Sequence, residues 1–318
     1  SLTYVEIPSQ EDDDVIDESV NSIRLRSSAT EILYQKKLIN SEEFINILTK
    51  FDVKRIELKY PTKTFSDVYN TISEVQKTQI NDLKIEIFIT GIRQTDEMFT
   101  CKTNIDSITI DNSLTTIGWN AFSGCISLTH ISIPESVKII EKGAFLECSS
   151  LTSISIPESV TEIGDRAFYE CKLLEEIIIP SSVTKIGKAV FYMCNSLKSI
   201  KIPDSITLLD DGTFVECTSL SEISLPSSLK AIGQCCFSKC SSLTQITIPD
   251  TVTTIVKGAF HGCETITEIT MPPLITEIED HLFQECYSLQ KVNIPESVKS
   301  IGICSFCHCL FIYLFIYL

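Results

Sequence analysis

Leu128–Ser150 reads LTHISIPESVKIIEKGAFLECSS, and this one stretch decides the fold. Leu128, Ile131 and Ile133 are separated by polar residues, and the Ile131/Ile133 alternation is the period-two pattern of a strand with one buried face. Pro134 ends that strand. Val137 and Ile140 make a second short apolar pair before a tight bend, which carries glycine in other copies at Gly164, Gly187, Gly233 and Gly302. Ala144, Phe145 and Cys148 then stand at i, i+1 and i+4, the spacing of a single helical turn aimed at a core.

Outward from this stretch the pattern returns without a change of step. Phenylalanine stands at Phe122, Phe145, Phe168, Phe191, Phe214, Phe237, Phe260, Phe283 and Phe306, always at the same interval. Three positions on, Cys125, Cys148, Cys171, Cys194, Cys217, Cys240, Cys263, Cys286 and Cys309 keep the same step. Proline does so from Pro134 to Pro295, with Asp111 in its place in the first unit. A period of this length marks a solenoid, because one coil cannot bury its apolar face alone and must stack on its neighbours. The expected fold is a leucine-rich repeat solenoid: a right-handed, β-rich superhelix of nine 23-residue coils with parallel strands, preceded by a small α/β segment. At the strand spacing of about 4.8 Å the stack is on the order of 43 Å long.

The unit SLTSISIPESVTEIGDRAFYEC, Ser150 to Cys171, closely resembles the BspA-like leucine-rich repeats of surface proteins from bacteria and protozoan parasites. The resemblance covers Ile105 to Cys309 and is specific, since Leu-x-x-Ile-x-Ile-Pro, Val-x-x-Ile-Gly and Ala-Phe-x-x-Cys recur in order. It implies an adhesin or recognition protein that binds matrix or host proteins, placed at the cell surface or secreted.

The chain divides into a repeat-like strand at residues 1–9, an acidic linker with a small α/β cap or island at 10–95, the solenoid at 96–311 and an apolar tail at 312–318. SLTYVEIPS at the start matches SLTHISIPE from Ser127, out of register with the main array. Asn40-Ser41-Glu42-Glu43 offers an N-cap, predicting a helix over 41–51. Ile56, Leu58 and Tyr60 alternate, a helix is predicted from Ser66, and Leu83, Ile85, Ile87 and Ile89 alternate again, as in a β-α-β unit. Phe99 lies one full repeat before Phe122, so the register already reaches it, although Cys101 is one place early. In the tail FIYLFIYL, Ile312, Phe315 and Tyr317 fall on the strand-core slots; the tail reads as an incomplete tenth unit or as a truncated reading frame.

Composition narrows the partners. The 42 acidic residues against 26 basic ones give a formal charge of -16, concentrated in the repeats, which repels phosphate backbones and anionic lipid alike. No nucleic acid is expected as partner, and no stretch is long and apolar enough to span a membrane.

Chemistry-bearing residues read as structural. Nine equivalent inward cysteines suit a column of small buried thiols. Cys304, Cys307, His308 and Cys309 have a zinc-like spacing, yet Cys309 belongs to the column. Cys236 fills the alanine slot beside Cys235. His130, His261, His281 and His308 stand in different units, none at a matched offset to a nucleophile and an acid. Glu175-Glu176 and Asp210-Asp211 are adjacent in extended chain and are expected on opposite sides. No catalytic residue, cofactor or metal is assigned, and an enzyme is not expected.

The outward strand positions remain: His130 and Ser132, Ser153 and Ser155, Glu176 and Ile178, Ser199 and Lys201, Glu222 and Ser224, Gln245 and Thr247, Glu268 and Thr270. They make a broad, mildly acidic, Ser/Thr-rich face suited to many modest hydrogen bonds with a protein or glycan. The expectation is a non-enzymatic protein-binding repeat protein in surface adhesion. The alternative is an intracellular, cytoplasmic scaffold, since buried thiols suit a reducing compartment.

Overall fold

The computed structural model describes Thr95, residues 99–103, residues 105–309 and the backbone of five further strands, Leu2–Tyr4, Arg24–Ser27, Arg55–Tyr60, Lys84–Ile89 and Tyr313–Ile316. From Ile105 to Leu289 the chain makes eight complete 23-residue turns, and a ninth is described through Cys309. Every coil but one contributes a strand to the main parallel ladder, such as Ser153–Ser155 and Glu176–Ile178, with Ile154 opposite Ile177. A two-residue strand contributes to a second ladder, such as Ile139–Ile140 against Glu162–Ile163. Partners within the array are one repeat apart, so every apolar position stacks on its own copy.

Pro134, Pro157 and Pro180 end their strands. Having no N–H to give to a ladder, each instead accepts through its carbonyl from the valine three positions on, at 3.0–3.1 Å. The serines that follow read in the sequence only as turn polarity, yet they form a column. Ser136, Ser159, Ser182 and Ser228 donate their hydroxyls to carbonyls of the coil before, Leu114, Val137, Val160 and Ile206, at 2.6–2.8 Å. Thr251 does the same toward Leu229.

The segment around each phenylalanine is not the helical turn its spacing suggests. N–H groups alternate between two fates. Those of Ala144, Leu146 and Cys148 bond three positions back, while those of Gly143, Phe145 and Glu147 bond to Asp165, Ala167 and Tyr169 of the next coil, at 2.7–2.9 Å. A helix would direct every N–H along its own axis; here half of them stitch coils together. The geometry requires left-handed backbone twice per coil, at Gly143 (φ 65) and Glu147 (φ 60), and again at Arg166 (φ 55) and Glu170 (φ 57). At Gly164 the backbone is not left-handed; a Cβ there would lie 2.6 Å from the Lys142 nitrogen, so glycine permits close coil-to-coil approach.

Inside, the phenyl rings form one continuous column from Phe99 to Phe306, with centroids 5.3–5.8 Å apart. Phe99 is fully buried and its N–H bonds to the Ala121 carbonyl at 2.8 Å, so the repeat register does reach it. Beside the rings runs the thiol column. Each Cys Sγ donates to the phenylalanine carbonyl one coil earlier, as Cys148 does to Phe122 at 3.1 Å, and that carbonyl also accepts from the Cys125 N–H. Both lone pairs of a buried oxygen are thereby used.

Before the solenoid, Arg55–Tyr60 and Lys84–Ile89 pair in parallel, and Lys84–Ile89 pairs with Ser107–Ile110, placing Leu58, Ile87 and Ile108 in one register line. The helices expected over 41–51 and from Ser66 lie outside the described residues. Leu2–Tyr4 is a strand, but it pairs antiparallel with Arg24–Ser27, unlike the repeats it resembles. At the other end Tyr313–Ile316 pairs in parallel with Lys291–Ile294, Leu314 opposite Val292 and Ile316 opposite Ile294. This step is one position shorter than the repeat, so Phe315 stands opposite Asn293 and does not continue the Val292 core slot, while Ile312 and Tyr317 lie outside the described residues. A one-position slip exchanges the two faces, and it sets the tail's aliphatic residues, not its aromatics, in line with the Ile/Val columns.

Candidate recognition face

All fourteen outward strand residues are exposed. They form two parallel rows up the main sheet. One runs His130, Ser153, Glu176, Ser199, Glu222, Gln245 and Glu268; the other runs Ser132, Ser155, Ile178, Lys201, Ser224, Thr247 and Thr270. Their inward neighbours Ile131, Ile154, Ile177, Ile200 and Ile269 are buried, which fixes which face is free. Ile178, 79% exposed, is the most solvent-exposed large apolar side chain described. The rows continue to Ser107 and Thr109 at one end and to Lys291 and Asn293 at the other. The same repeat step would have found them in the sequence.

Inter-coil ion pairs involve the row residue Glu268 and the flanking residue Glu175. Lys198 Nζ lies 2.5 Å from Glu175 Oε2, and Lys291 Nζ lies 2.5 Å from Glu268 Oε1. The Lys291 hydrogen bond holds the Glu268 carboxyl below its usual range. Asn293 Nδ2 donates to Thr270 Oγ1 at 2.9 Å. Exposed pairs like these contribute little to stability; their effect is to orient side chains on the face.

The main ladder is interrupted between Glu176–Ile178 and Ser199–Lys201 and again, over a whole coil, at Thr244–Ile248. Thr244–Ile248 keeps the strand alternation, with Ile246 and Ile248 buried and Gln245 and Thr247 exposed, but it pairs with neither adjacent strand. A groove of about 700 Å³ opens there, lined by Thr244, Gln245, Thr247, Asp250, Thr267, Glu268 and Thr270 among others. Across the same junction the turn ladder stays closed, with Phe260 N–H on the Leu282 carbonyl at 3.1 Å.

Stacking also assembles residues that sequence spacing kept apart. Ser238 Oγ lies 3.2 Å from His261 Nδ1, and His261 Nε2 lies 3.6 Å from Glu285 Oε2, on three successive coils. Ser238 is buried and the histidine–carboxylate contact is beyond hydrogen-bonding distance; the three make an inter-coil chain rather than an open nucleophile. Asp210 and Asp211, expected on opposite sides, instead converge on Lys188 of the preceding coil, at 3.8 and 2.9 Å. The Lys188 hydrogen bond holds the Asp211 carboxyl below its usual range. Glu175 and Glu176 separate, Glu175 turning to Lys198. Among the described residues no three His, Cys, Asp or Glu side chains are placed to hold a metal; Cys309 turns inward, its thiol donating to the Phe283 carbonyl at 3.1 Å. No helix among the described residues is long and apolar enough to cross a membrane.

Two strand ladders, a turn ladder and columns of identical residues together define one repeating unit, and that unit has known relatives. The family model described as the BspA type leucine-rich repeat region matches residues 92–220 and 184–313, in six copies. The chain belongs to the BspA-type leucine-rich repeat family. That family is a binding fold built from repeats. No curated protein matches the chain. Among solved structures, a leucine-rich repeat protein of Bacteroides ovatus is 28% identical over 72% of this chain and 77% of its own, with a TM-score of 0.45. The leucine-rich repeat protein of T. pallidum is 26% identical over 57% of this chain and 78% of its own, TM-score 0.47. A leucine-rich cell surface protein of Faecalibacterium prausnitzii is 22% identical over 85% and 81%, TM-score 0.49.

Proposed function

We propose that this BspA-type repeat protein is a non-enzymatic recognition protein acting at a cell surface, where the two outward rows of its main sheet bind matrix or host proteins or their glycans. The observation that carries the reading is the exposure of all fourteen row residues on one side of the stacked strands. A surface rich in serine and threonine forms many directional hydrogen bonds without a large desolvation cost. The groove at Thr244–Thr270 adds concavity to an otherwise open face. In this reading residues 10–95 cap the solenoid, a role supported by the pairing of Lys84–Ile89 with Ser107–Ile110.

The test has two arms. Antibody to the folded chain labels intact cells as strongly as permeabilised ones if the protein is displayed; labelling that requires permeabilisation contradicts display. Separately, Ser155→Trp and Ser224→Trp place bulk in the second row without touching the core. Binding to immobilised matrix proteins falls at least tenfold in these variants while their melting curves match the parent; unchanged binding contradicts the assignment of the face. A second reading, an intracellular scaffold, is favoured by one observation: the cysteine column consists of free thiols that act as hydrogen-bond donors.

A further inference from the structure

The cysteines fall into two chemical classes. Those of the column from Cys125 to Cys286 are buried, with their hydrogens committed to phenylalanine carbonyls, as at Cys171 and Cys194, both 3.2 Å from their acceptors. Burial pushes such thiols far above their ordinary titration range, which leaves them inert. Cys304 and Cys307, in the last described coil, belong to the other class. Cys304 is exposed and Cys307 is half-buried. They are the two ends of a single turn closed by the Cys307 N–H on the Cys304 carbonyl at 3.2 Å. Their side chains lie within hydrogen-bonding reach of each other.

We propose that Cys304 and Cys307 form a redox-active dithiol that closes reversibly to a disulfide by exchange with a small-molecule disulfide. A turn of this kind keeps its end Cα atoms within about 7 Å, and a disulfide needs roughly 4.4–6.8 Å, so the turn holds the two cysteines at bridging separation. Cys309 does not compete, because its thiol is turned into the column toward Phe283. The corresponding slots one coil earlier hold His281 and Gln284, and two coils earlier Gly258 and His261. Cys235 occupies the Cys304 slot three coils earlier, but Ser238 stands where the second thiol would be.

In the exchange, the Cys304 thiolate attacks one sulfur of the disulfide RSSR, forming a mixed disulfide and expelling RS⁻. Cys307 then loses its proton and its sulfur attacks Cys304 Sγ, forming the intramolecular bond and expelling the second RS⁻. Two electrons and two protons pass from the pair to RSSR, giving two RSH; a dithiol reductant reverses the sequence. Cys304 is exposed and Cys307 half-buried, so Cys304 is the attacking sulfur and Cys307 the resolving one; the hydrogen bond to Cys304, followed by desolvation, raises the Cys307 thiol above its ordinary range, in keeping with that order.

The test is equilibration of the folded chain in glutathione buffers of increasing oxidised fraction, acid quench, alkylation and peptide mapping by mass spectrometry. The expected result is a peptide in which Cys304 and Cys307 are linked, lighter by two hydrogens, carrying no glutathione and restored by dithiothreitol. Cys307→Ser retains one glutathione on Cys304, and Cys304→Ser acquires glutathione on Cys307 at least tenfold more slowly. Both thiols remaining alkylatable in buffers that oxidise free cysteine, a link to Cys309 instead, or a stable glutathione adduct on the parent protein each overturns the proposal. The parent mapping decides on its own if either variant fails to fold.

Discussion

Replacing Phe214 by alanine is the sharpest perturbation of the column. Its ring is fully buried, 5.4 Å from Phe191 and 5.5 Å from Phe237 with interplanar angles of 12° and 1°. Truncation removes both stacking contacts, each contributing about 0.5–1.5 kcal/mol beyond its buried area. It also leaves a cavity that the turn ladder on either side prevents from collapsing. Together with the lost transfer energy, the cost is roughly 3–5 kcal/mol. With a urea dependence of about 3 kcal/mol per M, the unfolding midpoint falls by about 1–1.7 M. Ile178→Ala, on the exposed face, is the matched control and stays within about 0.5 kcal/mol of the parent. Urea melts followed by circular dichroism measure both. Equal midpoints for the Phe214 variant and the control would refute a shared interior built on the rings.

Two further outcomes follow from the columns beside the rings. Ser182→Ala leaves the Val160 carbonyl without its hydroxyl donor and costs about 1 kcal/mol, whereas Ser182→Thr, which imitates Thr251, is close to neutral; thermal melts distinguish them. The buried thiols make the fold alkali-sensitive. Cys125, for example, is raised by burial from 9.0 to about 12, so between those pH values the unfolded chain releases protons that the folded chain retains. Stability is fully present below the unfolded value and declines as pH rises above it, each thiol contributing up to about 1.4 kcal/mol per pH unit. Urea midpoints recorded from pH 8 to 11 should fall steeply, and a flat profile would contradict neutral buried thiols.

The sequence discloses the solenoid because each core residue meets the same neighbours one coil away, so Phe145, Cys148 and Ile131 recur wherever their environment does. Backbone conformation is less legible. Arg166, Ala189 and Met193 adopt left-handed angles that no local preference assigns to them; inter-coil hydrogen bonds impose the conformation, and glycine fills the slot only in some copies. The serine column hides for a related reason, since Ser159 after a proline reads equally well as turn polarity. Ser238, His261 and Glu285 share no local motif and meet only through stacking. In the tail, aliphatic and aromatic residues alternate, so hydrophobicity alone is satisfied in either register, and the strand pairing with Lys291–Ile294 selects the shorter step. The outward rows were legible from alternation alone; the lapse in pairing at Thr244–Ile248 was not, because that coil keeps every repeat residue.

The stacked interior is tested most directly by measuring thiol modification in the native chain, cysteine by cysteine, with a membrane-impermeant maleimide and mass-spectrometric readout. Cys148, Cys171, Cys194, Cys217, Cys240 and Cys263 should remain unmodified until the fold is opened with denaturant, while Cys101 and Cys304 react at once. Rapid modification of the mid-column cysteines under native conditions would contradict the architecture.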